Sequence, residues 1–334
     1  MTFETKGPAT LPNACVWRPD LSFAPAPLCP AGGAPEVEAF PELDATARDE
    51  ALQCIGRLQD DRLHVRQTTA MQLAGLGPGV IPLLEPVLRG GCCLHEIDAA
   101  LETLKRLRDA RSIPITAALL ASPSEDIRLA ALKTLRWLTD DPDTFLPELS
   151  DPYWRIRREA LFALLELRCD GLMRVIEAML RDGHAAVRAA AANGPGIIRD
   201  ESAIPALIEL LDDPAKPVRE MAAWSLGRFE RRMVGEHAAD LALHPASRRD
   251  VALACRTLCI CRDPAAADAV ILAAEHADSE TQVKAVKALV GMAGPEHMPF
   301  LKSMLQSDAE TVRQAAAWAI SLRTLRGASR RTAE

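Results

Sequence analysis

A ten-residue frame repeats along most of this chain. Its clearest copy is residues 218–227, V-R-E-M-A-A-W-S-L-G, in which Val218 is position 0. Small apolar or aliphatic residues occupy positions 0, +4 and +8, an arginine follows at +1, and a glycine ends the frame at +9. The copies recur about every 31 residues, a period typical of stacked helical repeats. They begin at Val65, Cys93, Ile127, Ile156, Val187, Val218, Val251, Thr281 and Val312.

Each frame follows a shorter apolar segment and an acidic turn. In residues 203–208, for example, Pro205 falls in the opening turn of the predicted helix, where its missing N–H costs nothing. We therefore predict that every repeat is a hairpin of a first helix and a second helix, the second carrying the frame. Asp or Ser residues in the turns are expected to cap the second helices. They are Asp61, Ser124, Asp151, Asp182, Asp213, Asp278 and Asp308.

The sequence divides into four segments. Residues 1–43 carry eight prolines and no helical period, but include Trp17 and Phe40, so we predict an extended arm that covers the first repeat. Residues 44–59 resemble the frame but precede Val65 too closely for a full unit, which predicts a cap helix. Residues 60–322 form the repeat array, and residues 323–334 form a basic tail.

Composition narrows the class of function. A net charge of −7 argues against a protein that simply coats nucleic acid, and no apolar run reaches the length of a membrane span. The N-terminus has no signal-peptide pattern, and the nine cysteines are irregularly spaced. These features predict a cytoplasmic protein with reduced thiols.

The frame D-x-x-x-V-R-x-x-A-A-x-x-L-G resembles the short HEAT repeats of phycobilin lyase subunits, the E–Z type, over residues 60–322. The resemblance implies an all-α fold, a right-handed α-solenoid of about nine HEAT-like hairpins, with the second helices on the concave side. Members of this family serve as scaffolds, adaptors, cofactor-attachment lyases and, in one branch, deoxyhypusine hydroxylase.

Two metal-site hypotheses follow and both are weak. The hydroxylase branch holds two irons with His-Glu pairs at +2 and +3 of several second helices, whereas this chain offers only His95-Glu96 at those positions. Cys255 and Cys259 share a helix face, and Cys261 is nearby, but both occupy core positions of the frame and no second thiolate pair follows. We therefore predict no metal, no cofactor and no catalytic residue.

Two further alternatives stay open. A lyase-like subunit would need a bilin pocket, which no residue identifies. A nucleic-acid-binding HEAT-like protein would use the aromatic and basic segment 153–158 and other arginine pairs, although these clusters are dispersed in an acidic chain.

The arginines at +1 raise the question of an anion-binding ladder. They are Arg66, Arg128, Arg157, Arg188, Arg219 and Arg313. Because a stacking device recurs while a binding site is usually local, we predict that each arginine reaches the turn aspartate of the neighbouring repeat.

Position +6 points about 150° away from the apolar stripe and should face the concave groove. Its large or polar occupants Met71, Phe162, Asn193, Trp224 and Trp318 are the predicted partner-binding residues. In the central repeat, Gly194, Pro195 and Gly196 break the frame, which predicts a second helix that ends a turn early. A hinge, an opening for a ligand or a tolerated local defect would each fit this break. The sequence thus favours a non-catalytic scaffold, adaptor or assembly factor that binds a protein rather than nucleic acid or a membrane.

Overall fold

The computed structural model describes residues 39–90, 93–275, 277–290 and 295–331, and these residues form helices and no strand. The chain divides into two compact units, unit 1 (Met1–Glu159) and unit 2 (Ala160–Glu334). Most of the predicted arm, residues 1–38, lies outside the described residues. The helices are α1 (Ala45–Ile55), α2 (Leu63–Gly75), α3 (Ile81–Gly90), α4 (Leu94–Leu107), α5 (Ile113–Ala118), α6 (Glu125–Leu135), α7 (Trp154–Leu167), α8 (Leu172–Met179), α9 (Ala185–Ile198), α10 (Ile204–Leu210), α11 (Lys216–Leu226), α12 (Arg231–Leu243), α13 (Arg248–Cys261), α14 (Pro264–Ala274), α15 (Ser279–Leu289), α16 (Met298–Met304) and α17 (Glu310–Arg331).

The second helices coincide with the sequence frames. They are α2, α4, α6, α7, α9, α11, α13, α15 and α17. Position +4 is buried in every one of them, because a small side chain there lets neighbouring helices approach closely. Its occupants are Thr69, Ile97, Ala131, Ala160, Ala191, Ala222, Cys255, Ala285 and Ala316. The predicted all-α array of helical hairpins is confirmed.

Several first helices begin in the same way, with a single 3₁₀ turn that runs into an α-helix whose second residue is proline. Pro82, Pro114, Pro205 and Pro299 hold this position in α3, α5, α10 and α16. Proline fits there because the first turn of a helix has no acceptor for its missing N–H. In the fourth repeat, two 3₁₀ turns, Pro142–Thr144 and Pro147–Ser150, replace the first α-helix and enclose the buried Phe145.

In unit 1, α2 contacts α4 and α4 contacts α6, while α1 packs against α2 and α3. The helix predicted as a cap, residues 44–59, is thus the first helix of the first hairpin. The last residues of the predicted arm lie against this unit. Phe40 packs on the hydrophobic core below the guanidinium of Arg111, which also donates a hydrogen bond to the carbonyl of Ala39 (3.0 Å).

In unit 2, α9 contacts α11, and α13 contacts both α11 and α15, which in turn contacts α17. Helix α17 continues to Arg331, so most of the segment predicted as a tail extends the last second helix. Residues 332–334 lie outside the described part of the chain.

The prediction that the central second helix ends a turn early is wrong. Helix α9 continues through Pro195 to Ile198, and Gly194, Pro195 and Gly196 are all buried. A Cβ on Gly194 would lie 2.8 Å from Leu165 Cδ2 and Ile176 Cδ1, so this glycine allows close helix packing. Packing on both sides holds the helix across the proline. A hinge at these residues stays a prediction.

Within the described ranges, no single helix is both long and apolar enough to cross a membrane. One pair of segments, Leu63–Gly75 and Pro78–Gly90, meets the length and composition requirement only jointly and is bent by 113° between its halves.

Candidate functional site

The +1 arginines form hydrogen bonds within their own repeats. Each donates from one guanidinium nitrogen to two carbonyl oxygens in the turn that precedes its own helix; in Arg219 the acceptors are Asp213 (2.7 Å) and Pro214 (2.9 Å). The same pair of bonds is made by Arg66, Arg128, Arg157, Arg188 and Arg313. The turn carbonyls would otherwise lack partners, so these arginines hold the hairpin turns.

Arg188 and Arg128 also reach the turn aspartate of the following repeat, as the sequence predicts. Arg188 donates to both carboxylate oxygens of Asp213, at 2.8 and 2.9 Å, and Arg128 binds Asp151 in the same way. Burial by itself raises the pKa of Asp213, but hydrogen bonds from Arg188 and the backbone of Ala215 outweigh it and hold the pKa below its ordinary value. Both pairs are therefore stacking contacts rather than open anion sites.

Position +6 is exposed in most second helices. Of the predicted residues, Trp224, Trp318 and Met71 expose 46%, 49% and 56% of their surface, whereas Phe162 and Asn193 are half-buried. Met71 belongs to unit 1 and the other four to unit 2. The slot is not uniform, because Ala99 and Thr257 occupy it in α4 and α13 and are buried.

Trp224 is the best-defined of these residues. It lies on α11, whose neighbour α9 carries Asn193 at the same slot. The guanidinium of Arg228 lies 5.1 Å from the centroid of the Trp224 ring, a cation–π contact, and also donates a hydrogen bond to the carbonyl of Gly196. One tryptophan face is thus fixed in place while nearly half of the ring stays open to solvent.

Trp318 lies apart from Trp224. Helix α11 contacts α13, α13 contacts α15, and α15 contacts α17. With about 8–10 Å between the axes of neighbouring helices, α11 and α17, and with them the two tryptophans, lie roughly 25–30 Å apart. They define two separate exposed aromatic positions on the second helices of unit 2.

The structure also contains a feature that the sequence did not indicate, a cleft of about 620 Å³ on the second helices of unit 1. Its charged lining residues are Arg66, Asp98, Glu102, Lys105, Lys133, Arg136 and Glu159, with Leu63 and Trp137 as the large exposed apolar residues. We call this feature the unit 1 cleft. The sequence feature that could have indicated this cleft is position +9, where Glu102 and Arg136 replace the glycine of the clearest frame.

The weak metal-site candidates do not assemble. Glu96 is buried and accepts a hydrogen bond from Gln59 (3.0 Å), while its neighbour His95 is exposed. Within the described ranges, no cluster of three or more His, Cys, Asp or Glu side chains has metal-binding geometry.

The cysteines of α13 follow the prediction only in part. Cys255 is buried as expected, but Cys259 is exposed and Leu258 takes the core position instead. Val251 and Cys255, at positions 0 and +4, are buried as the frame predicts, so the departure is confined to the end of the frame. The assignment of Cys259 to the core is therefore wrong.

The aromatic and basic side chains at the start of α7 contact one another. The guanidinium of Arg158 lies 5.1 Å from the Trp154 ring centroid, and that of Arg155 lies 5.5 Å from Trp154 and 5.7 Å from Tyr153. Arginines stacked on both rings leave less ring surface for bases.

Repeated helical hairpins with one buried small-residue seam define an α-helical repeat protein. The sequence matches the family described as HEAT repeats over residues 142–227 and 236–321, about half of the chain, and the protein belongs to this family. A comparison with functionally characterised proteins by sequence gives no significant match.

Comparison with solved structures gives matches of low sequence identity. The YibA protein of Escherichia coli is 14% identical with a TM-score of 0.45, over 83% of this chain and 94% of that one. Human deoxyhypusine hydroxylase in complex with glycerol is 19% identical with a TM-score of 0.32, over 83% and 96%. A structure of Kap95p with RanGDP is 16% identical with a TM-score of 0.47, over 84% of this chain and 47% of that one.

Proposed function

We propose that this HEAT-repeat protein is a non-catalytic scaffold or adaptor that binds a protein partner through the exposed face of its second helices. The observation that carries the proposal is Trp224, a large aromatic residue that packs on Arg228 on one side and is open to solvent on the other. Tryptophan and arginine are the residues that most often dominate binding energy at protein interfaces.

The geometry also supports binding in place of core packing. The seam of the second helices is filled by positions 0, +4 and +8, so Trp224 at +6 adds little to the core. Its ring is held in one orientation by the cation–π contact, which lowers the entropy lost when a partner covers it.

We also propose that the repeats belong to the short HEAT repeats of the phycobilin lyase-like type, because they carry the frame D-x-x-x-V-R-x-x-A-A-x-x-L-G.

The test is a comparison of Trp224→Ala with wild type in affinity capture from the native host, followed by quantitative mass spectrometry. Leu272→Ala is the control, because Leu272 is also a large exposed apolar residue but lies on the first helix α14. At least one captured protein should fall about tenfold with Trp224→Ala, the effect of roughly 1.4 kcal/mol, and stay constant with Leu272→Ala. Helicity and melting temperature should change little in either variant.

Two results would contradict the proposal. A large loss of stability in Trp224→Ala would make the residue part of the core. A set of captured proteins that is unchanged by Trp224→Ala would show that the second-helix face of α11 binds no partner.

A further inference from the structure

The unit 1 cleft lies mainly across three neighbouring second helices, and Glu159 of α7 also lines it. Helix α2 contributes Leu63 and Arg66, α4 contributes Asp98 and Lys105, and α6 contributes Lys133. Its volume of about 620 Å³ lies within the range of ligand-binding pockets. With helices about 8–10 Å apart, the cleft spans roughly 16–20 Å, which is the length of about six residues of extended peptide.

The charges of the cleft are unbalanced. Four of its lining side chains are cationic and three are anionic, and Arg106 and Arg108 add two more positive charges at its rim. Asp126, which acts on Asp98, adds one negative charge, so with all of these groups ionised the region carries an excess of two positive charges in a chain whose net charge is −7. Opposite charge therefore distinguishes this surface from the rest of the protein.

The carboxylates of the cleft are largely occupied by partners within unit 1. Glu102 binds both Lys105 and Arg106, and Glu159 is paired with Arg136. These bonds fix the acidic side chains and leave the surplus positive charge on other residues.

Lys133 carries part of that surplus. It is exposed in the last turn of α6 and interacts with Asp98 only through space, without a hydrogen bond or ion pair in the described part of the chain. Burial raises the pKa of Asp98, although His95, Lys133 and Arg66 act in the opposite direction. An ammonium group with no close carboxylate can bind an incoming anion at low desolvation cost.

The cleft also has an apolar surface, four residues beyond Lys133 in the sequence. Trp137 is more than half exposed, and the guanidinium of Arg108 lies 5.2 Å from its ring centroid. Arg108 follows α4 in the left-handed conformation (φ 50°), which directs its side chain toward the neighbouring repeat. The arrangement combines a fixed aromatic surface with positive charge, as in sites that bind an apolar residue flanked by carboxylates.

We infer that the unit 1 cleft binds an extended acidic peptide segment of a partner protein, with Lys133 contacting its carboxylates and Trp137 an apolar side chain. The inference rests on the proposed function only because both concern the binding of a protein. The two sites are separate, since Trp224 belongs to unit 2 and the cleft to unit 1. A short acidic peptide suits the cleft better than nucleic acid, because Trp137 is the one aromatic ring among its lining residues and already stacks on Arg108, whereas grooves for single strands stack successive bases on several aromatic rings.

The test uses the full-length protein and fluorescence anisotropy of a labelled peptide of about eight residues, rich in Asp and Glu around one Phe. The comparison peptide has Asn and Gln in place of the acids. The acidic peptide should bind at least tenfold more tightly, and this difference should shrink as ionic strength rises from about 0.05 M to about 0.5 M.

Lys133→Ala and Lys133→Glu should weaken binding of the acidic peptide, the charge reversal by about tenfold. The matched control is Lys287→Glu, because Lys287 is also an exposed lysine at +6 in the last turn of its helix, but in unit 2. Trp137→Ala should weaken binding of the Phe-containing peptide more than that of a Phe-free acidic peptide. Circular dichroism should show unchanged helicity in all four variants.

Trp224→Ala should leave peptide binding unchanged, so a failure of this inference and a failure of the proposed function are separate results. Equal loss with Lys133→Glu and Lys287→Glu would overturn the inference in favour of general charge attraction. Equal affinity for the acidic and the neutral peptide would also overturn it. Tighter, Lys133-dependent binding of a single-stranded oligonucleotide would assign the cleft to nucleic acid instead.

Discussion

Replacing Gly196 with alanine tests whether the glycines of α9 serve close packing. A Cβ at this position would lie 2.5 Å from Ser225 Oγ and 3.0 Å from Ser225 Cα on the neighbouring helix α11. Ordinary carbon contacts are about 3.5–4.0 Å, so α11 must move away by at least half an ångström. The shift would also disturb the hydrogen bond from Arg228 to the Gly196 carbonyl (3.0 Å).

The expected cost follows from these opposing effects. Overpacking a core costs about 1–3 kcal/mol and a weakened hydrogen bond about 1 kcal/mol, whereas alanine gains about 1 kcal/mol over glycine inside a helix. We therefore expect Gly196→Ala to lower the free energy of unfolding by about 2 kcal/mol. The measurement is urea denaturation followed by circular dichroism, fitted with a repeat-protein model because such arrays need not unfold in two states.

A second substitution checks the cause. In the double variant Gly196→Ala with Ser225→Gly, much of the clash disappears, so the two effects should not add. Ser225→Ala alone should cost little, because the buried Oγ of Ser225 has no hydrogen-bond partner within the described ranges.

Gly75→Ala is the control for helix propensity. Gly75 ends α2 and a Cβ there would meet nothing within 4 Å, so this variant should be more stable by up to about 1 kcal/mol. If Gly196→Ala is as stable as wild type, or if both glycine variants change stability in the same direction, the close-packing explanation is refuted.

Three further predictions concern the stacking contacts and the thiols. Asp213→Ala leaves the partly buried guanidinium of Arg188 without its carboxylate and should cost about 2 kcal/mol in urea denaturation. Arg232→Ala removes an exposed ion pair and should cost far less; equal costs would refute the stacking role. The pKa of Asp213 is lowered in the folded state, so its stabilising effect is present above the pKa of an unfolded aspartate, about 3.9, and is lost as the pH falls through the folded value. The difference in unfolding free energy between wild type and Asp213→Asn should therefore shrink in acid, and a difference independent of pH would contradict the assignment. Burial raises the pKa of the Cys255 thiol to about 12 and also raises the pKa of the Cys259 thiol, but of the two only Cys259 is exposed. Iodoacetamide at about pH 8 should therefore modify Cys259 before Cys255 in the native protein, as measured by mass spectrometry of tryptic peptides; labelling of Cys255 first would show that α13 is not packed as described.

The repeat architecture follows from local pattern. The apolar residues of each frame are separated by whole helical turns, so the stripe that they form was readable without knowledge of neighbouring repeats. The frame at Val218 predicts helix α11, and the small residue at +4, Ala222, predicts a close helix contact, both of which the structure confirms.

The exceptions depend on packing between helices. Pro195 ends an isolated helix in a sequence-based prediction, but α9 continues because Gly194 and Gly196 let neighbouring elements hold it on both sides. Cys259 was misassigned although Val251 and Cys255 of the same frame are buried, because the elements around α13 cover Leu258 instead, and local pattern does not encode where those elements lie.

The sequence by itself determined that this protein is an array of helical hairpins with a buried small-residue seam, because that outcome depends on contacts within one repeat and its period. Only the tertiary structure decided which charged side chains pair. Arg188 meets Asp213 across 25 residues of sequence, and Lys133 forms no ion pair with any described residue, although it lines the same cleft as Trp137. Such pairings depend on the positions of neighbouring helices, which no local pattern encodes, and those positions form the unit 1 cleft.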